Sequence, residues 1–225
     1  MRIDSESLWK TLDSISEDFF FGREISAKDK LTAAKWIASR QGLKGSCYNM
    51  FAPTASDFEL SRTFTGEKIA SKAATAHILS EEALRCLKKL GINDDEVKTA
   101  YRIADEDMIG RLGKNKNDRD FGRICCGTCS VAFWRNLIVG GFNHQEARLR
   151  AGMAELKKTR LETGKWRLFP FFWTLSALIE IDMKEAVEEM RYAAPAIERS
   201  LKKSSDDPVY DKRRKAICET VLGKV

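Results

Sequence analysis

Residues 123–129 read Arg-Ile-Cys-Cys-Gly-Thr-Cys, and the thiols of Cys125, Cys126 and Cys129 are the sharpest local signal in the chain. Cys126 and Cys129 form a C-x-x-C at the start of a segment, about 128–139, with helical character. The unsatisfied amides and the dipole of a helix N-terminus stabilise a thiolate there, which is the condition for nucleophilic or dithiol chemistry. Cys125 and Cys129 are four apart, so one helical face can instead present two soft ligands to zinc or an iron–sulfur cluster. Further ligands would then come from Cys47, Cys86, Cys218, His77 or His144, none in a second paired spacing. Small buried thiols are the third reading of the same residues. The sequence singles out no cofactor.

The other chemistry-bearing stretch is aromatic. Trp166, Phe169, Phe171, Phe172 and Trp173 surround Arg167, and Trp134 and Arg135 lie in the segment that follows the thiols. These residues suit either a helix-packing core or an aromatic-lined cavity with few polar anchors. In the cavity reading the site lies between residues 123–139 and 164–181. Trp134, Arg135, Trp166, Arg167 and Trp173 line it, a small apolar or amphipathic molecule fills it, and Arg135 and Arg167 hold an anionic end. His77, in the apolar run Ala-Thr-Ala-His-Ile-Leu, is the candidate for proton transfer or a hydrogen-bonded core histidine. Asp57, Glu59 and Glu67 in the segment 42–70 are possible substrate contacts. There is no phosphate-binding Gly-rich loop, no His-Glu-x-x-His and no nucleophile elbow.

The 225 residues carry a net charge of +6, with 43% hydrophobic and 32% charged residues, an ordinary globular composition. No apolar run approaches the ~20 residues of a membrane span, and the first residues lack the apolar core of a secretory signal. The expectation is a cytoplasmic protein with reduced cysteines. The positive charge concentrates at 148–167, in Arg148, Arg150, Lys157, Lys158, Arg160, Lys165 and Arg167. Such a run is a solvated helix face or a nucleic-acid surface. Leu149, Met153, Leu156 and Leu161 interrupt it and favour the former.

Positioning these groups falls to helices. Leu8, Leu12, Ile15 and Phe19 recur at helical spacing. Ser26 with Asp29 opens a helix through Leu31, Ala34 and Ile37, and Ser80-Glu81-Glu82 or Ser71 opens one that Gly91 closes. Asn93 starts the next, ending near Gly113. The pair Gly140-Gly141 cuts the helix of the thiols. Asn143 with Glu146 predicts a capping box, and Pro170 a first helical position. Asp182 with Glu185 opens a helix that Pro195 restarts, and Asp207-Pro208 opens the last. The fold class is all-α, in a single domain 1–225, with a long packed loop at 42–70 that covers the mouth of the helical core.

Gly164-Lys165-Trp166 follows a helix with Leu156 and Arg160 and precedes Thr174-Leu175-Ser176-Ala177-Leu178. This helix, Gly-x-Trp turn and second helix resemble the repeat of the prenyltransferase and squalene cyclase α/α-toroid families. A fainter echo lies at 33–45, with 73–90 as its partner helix. The resemblance implies antiparallel helical hairpins in a partial α/α-toroid or arc, with a duplication of about 30–91 and 143–195. Thr159 and Arg160 replace the glutamine usual before the turn, and Asp118-Arg119-Asp120 is only an approach to the Asp-x-Asp-Asp string of the cyclases. The zinc-binding set of the protein prenyltransferases cannot be placed, so no catalytic residue carries over. The sequence leaves four functions open: an enzyme or binder of a small apolar ligand, a basic helical-repeat nucleic-acid binder, a metal or cluster protein using Cys125, Cys126 and Cys129, and an interaction scaffold without catalysis.

Overall fold

The computed structural model describes residues 1–114, 121–202 and 207–225, which contain ten α-helices and, as β-structure, only isolated bridges. Asp118, Arg119 and Asp120 lie outside the described residues. No described helix is long and apolar enough to cross a membrane. The chain divides into two compact units, one of residues 1–62, 68–116 and 141–143, the other of residues 63–67, 117–140 and 144–225.

The first unit holds α1 (Leu8–Phe20), α2 (Ala27–Ala38), α3 (Asp57–Leu60), α4 (Lys72–Leu90) and α5 (Asp95–Lys114). Helix α4 packs on each of the other four, and nearly all its side chains from Ala74 to Leu87 are buried. A helix surrounded in this way has no solvent face, which is why its polar residues must find internal partners. Ser80 Oγ, for example, donates to the Phe51 carbonyl at 3.0 Å. Ser80-Glu81-Glu82 therefore lies inside the helix and does not open it; Ser71 is the N-cap, its hydroxyl accepting from the Ala74 amide. Ser26 caps α2 through the Asp29 amide, as its spacing predicts. Leu31, expected inside, is 39% exposed. Ala33, Ala34, Ile37 and Ala38 form the buried arc of α2, and Leu31 stands roughly a quarter turn from its centre.

The second unit holds α6 (Gly127–Ile138), α7 (Gln145–Lys158), α8 (Phe171–Leu178), α9 (Lys184–Leu201) and α10 (Pro208–Leu222). The short α8 packs on α6, α9 and α10, while α7 packs on α6 and α9. Pro170, the N-cap of α8, has no side-chain acceptor. Glu67 supplies one from a distant part of the chain, its Oε1 accepting from the Trp173 amide at 3.1 Å. Thr63 and Thr65 hydroxyls donate to the other oxygen of Glu67. Arg213 and Arg214 of α10 bond the Phe64 and Thr65 carbonyls at 3.0 and 2.7 Å, so with the Trp173 amide residues 63–67 are stitched into this unit at three points.

The Gly-x-Trp turn is built as a local knot. Gly164 takes a φ of +77°, a conformation glycine adopts without steric cost. Trp166 is buried and its Nε1 donates to Glu189 Oε2 at 2.9 Å, while Arg160 binds both oxygens of the same carboxylate. The Tyr192 hydroxyl bonds the backbone on both sides of the turn.

Two expected boundaries differ. His144, with φ +59°, is the N-cap of α7 and makes no side-chain capping bond; Glu146 instead pairs with Arg150 at 2.6 Å, so the capping box does not form. Pro195 lies inside α9 and does not restart it. Its ring is on the exposed side, and the buried face of Glu189, Met190, Ala193, Ala196 and Ile197 continues past it. Packing along that face offsets the missing amide bond.

Candidate functional site

The segment before α6 is anchored at several points. Trp134 Nε1 donates to the Gly122 carbonyl at 2.7 Å, and Arg148 Nη1 donates to the Phe121 carbonyl at 3.2 Å. Ser130 Oγ accepts from the Ile124 amide at 3.1 Å and lies 2.8 and 2.9 Å from the carbonyls of Ile124 and Cys126. This one hydroxyl folds the chain back over the helix start. Cys125 is consequently held at φ +50°, in the left-handed region that non-glycine residues rarely occupy. Cys126 becomes the N-cap of α6.

Gly127 follows because nothing larger fits. A Cβ there would lie 1.9 Å from the Leu168 carbonyl oxygen and 3.2 Å from Phe169 Cα. Those are backbone atoms that cannot rotate away. Gly127→Ala should therefore cost about 3 kcal/mol or more, read as a drop in the urea midpoint. A variant as stable as the parent would show that the segment 168–169 yields freely.

The result is an asymmetric dithiol. Cys126 and Cys129 sulfurs hydrogen-bond at 3.5 Å. Cys129 is fully buried, Cys126 is half-buried and Cys125 is exposed. The side-chain hydrogen bond with Cys129 holds Cys126 down at about 5, and the amides of Cys129 and Thr128 add to this at the open end of the helix. The proton stays on Cys129, whose pKa is pushed far up by the neighbouring anion and by burial. At neutral pH the pair is thus one accessible thiolate backed by one buried thiol. The remote thiols differ in kind: burial pushes Cys86 and Cys218 up to about 11. The Cys125 sulfur lies within 4.8 Å of the Cys129 sulfur, so Cys129 has a second thiol within reach besides Cys126, and sulfur donors of this kind suit soft metal ions.

The aromatic candidates are used for packing. Trp134 is fully buried and stacks on Phe169 with ring centroids 5.4 Å apart. Trp173 donates its Nε1–H to the Thr128 carbonyl at 3.1 Å and carries the Arg135 guanidinium 4.5 Å above its ring. Arg135 is 3% exposed and reaches Glu180 at 3.5 Å. All three expected tryptophans in this set give their N–H to a protein acceptor. Arg167 is exposed, and its backbone amide bonds the Thr159 carbonyl. The structure thus joins Arg135 to Trp173 but gives Trp134, Trp166 and Arg167 separate surroundings.

His77 belongs to the first unit and is buried in α4. Its Nε2 is 2.8 Å from Arg111 Nη1 and 3.4 Å from Glu81 Oε1, and the Arg111 guanidinium lies 4.1 Å beneath the Tyr48 ring. Arginine can only donate, and Nε2 thus lies between a donor and a carboxylate. Asp57, flagged as a substrate contact, is instead buried against the start of α1, while Glu59 is exposed. In the basic run, Arg150 pairs with Glu146 and Glu185, Lys158 with Glu155, and Arg160 with Glu189. Arg148 is buried over Phe121. Much of the apparent positive surface is therefore matched by carboxylates or taken inside.

Comparison with protein-family models, curated proteins and solved structures gives no match. The functional reading rests on the chain's own residues. What sequence inspection missed is Ser130 and Gly127, whose roles depend on carbonyls that no local pattern announces.

Proposed function

We propose that the protein carries out thiol–disulfide exchange, with Cys126 as the attacking sulfur and Cys129 as the resolving one. The observation that carries this reading is the pair itself: an accessible sulfur 3.5 Å from a buried one at a helix N-terminus. The aromatic segment has no comparable feature, because its faces and N–H groups already have protein partners.

In the reaction Cys126 sulfur attacks a disulfide of the substrate, forming a mixed disulfide and expelling one substrate thiolate. Cys129 then gives up its proton and attacks Cys126 sulfur, expelling the second thiolate. Two electrons pass from the dithiol to the substrate, leaving two substrate thiols and an internal disulfide; a thiol reductant restores the dithiol. Closing the bond brings the sulfurs from 3.5 Å to about 2.05 Å, within the reach of side-chain rotation at Cys126. Helix α6, Gly127 and Ser130 hold both residues in place meanwhile.

The test uses a Cys125→Ser background and the aromatic disulfide 5,5′-dithiobis(2-nitrobenzoate). The dithiol should release two equivalents of thiolate and end as an internal disulfide. Adding Cys129→Ser should stop the reaction after one equivalent, with the aromatic thiol bound to Cys126. Equal release from both, with no internal disulfide, would sink the exchange reading.

A further inference from the structure

We infer that Cys125, Cys126 and Cys129 together form a three-sulfur site for a soft, closed-shell metal ion, and that such an ion caps the dithiol. This needs only the convergence of the three sulfurs and does not rest on the exchange reaction, which leaves Cys125 without a task.

Geometry is the first support. Three thiolates ~2.3 Å from one ion lie roughly 3.8 Å apart in tetrahedral and roughly 4.0 Å apart in trigonal coordination. Cys126 and Cys129 sulfurs are 3.5 Å apart, and Cys125 and Cys129 sulfurs lie within 4.8 Å of each other. Small side-chain rotations bring both distances to the required value. An ion would replace the hydrogen bond between Cys126 and Cys129 with two stronger bonds.

The backbone is the second. Neighbouring residues in extended or helical conformation send their side chains in different directions. Cys125 avoids this by taking the left-handed conformation, which Ser130 secures through Ile124 and Cys126 on either side of it. A non-glycine residue in that region carries a conformational cost, and such costs persist where surrounding bonds enforce them. Here the enforced turn brings the Cys125 sulfur within 4.8 Å of the Cys129 sulfur, which Cys126 already touches.

Donor chemistry sets the ion. Sulfur ligands select Zn(II) or Cu(I) over magnesium or calcium. Three protein ligands fill a trigonal Cu(I) site, and they leave one position of a zinc tetrahedron open, as in exchangeable rather than closed structural sites. The exposure of Cys125 gives the ion a path to solvent. Binding forms three metal–sulfur bonds and releases the protons the sulfurs still hold, with no change of oxidation state. It also occupies the Cys126 sulfur, so a metal and a substrate disulfide compete for the site. An internal Cys126–Cys129 disulfide removes two ligands at once and releases the ion.

The experiment is an anaerobic titration of the reduced full chain with Cd(II), followed by thiolate-to-metal charge-transfer absorption. We expect a linear rise that breaks at one equivalent. Cu(I) should bleach the band by displacement and excess Zn(II), the weaker thiolate binder, should lower the apparent Cd(II) affinity by competition, and either effect upholds the inference. Cys125→Ser should weaken the site beyond the roughly 10–100-fold that loss of an outer-shell partner brings, while Cys47→Ser leaves it unchanged. A wild-type titration without a break overturns the inference, as does an equally tight break in Cys125→Ser or a band that neither Zn(II) nor Cu(I) affects. Should Cys125→Ser lose its helical circular dichroism, protection of the wild-type Cys125 and Cys126 thiols from iodoacetamide by Cd(II), read by mass, replaces it: protection of both supports the site, and protection of one or neither overturns it. A failed titration beside a trapped mixed disulfide removes this inference alone. A successful titration without trapping removes exchange alone.

Discussion

Alkylation of Cys126 by iodoacetamide should be nearly independent of pH from 7.5 to 5.5. An ordinary exposed thiol, with a pKa near 8.5, loses about a hundredfold in thiolate over that interval. Cys126 sits at about 5 because it shares a hydrogen bond with Cys129 and the amides of Cys129 and Thr128 face it, so its thiolate fraction falls less than about twofold. The slope is the diagnostic rather than the absolute rate, because a low-pKa thiolate is also a weaker nucleophile. Measured by mass in the Cys125→Ser background, the pH profile should be flat until it bends near pH 5. Cys126→Ser should abolish the modification, since Cys129 is buried and keeps its proton. A rate that falls tenfold for each unit of pH would mean that Cys126 is an ordinary thiol.

The same shifts give stability a pH dependence. Cys126 has a folded pKa below its unfolded value of about 9, so its contribution is complete above that value and is lost as pH falls through about 5. Cys129 moves the other way. Its contribution is complete below its unfolded value and is lost as pH rises through its folded one. Between pH 5 and 9 the first governs, and this dithiol makes the fold more stable as pH increases.

How much of this was legible in the sequence depends on how local each cause is. Helices were visible because their buried faces repeat within a few residues, as Leu8, Leu12 and Ile15 do in α1. Caps at Ser26 and Asp207 were visible for the same reason. Where a distant element decides, the local pattern misleads. Pro195 is carried by the packed face of α9, and Ser80-Glu81-Glu82 is enclosed by the helices around α4. At the candidate site, the sulfur spacing was legible but the division of labour was not. Which sulfur is buried follows from α6 turning Cys129 inward. The tryptophans were equally legible as residue types, yet whether a ring face meets a ligand or Phe169 is a tertiary fact. The same holds for Asp57, a polar residue in a long connection whose buried role appears only once α1 is in place.

Asp57→Ala should be the most destabilising single change in the first unit away from its apolar core. The carboxylate is fully buried and accepts five hydrogen bonds. Ser7 Oγ and the Leu8 and Trp9 amides donate from the start of α1, at 2.6, 3.1 and 3.2 Å. The Thr54 amide and hydroxyl donate from the connection before α3, at 2.7 and 3.0 Å. The Leu8 and Trp9 amides are among those that no residue within α1 can satisfy. Ser7 answers another by accepting from Lys10 at 3.1 Å, and Asp57 fixes the Ser7 hydroxyl in the orientation that leaves its lone pair free for this. Alanine would strand these donors where water reaches poorly, at about 1–3 kcal/mol for each that stays unsatisfied, so a total of about 4 kcal/mol is expected after partial relaxation. Asp57→Asn keeps one acceptor oxygen and should cost roughly half as much. Urea unfolding of the full chain, followed by circular dichroism, measures both. Comparable midpoints for Asp57→Ala and the parent would show that α1 keeps its place without this clasp.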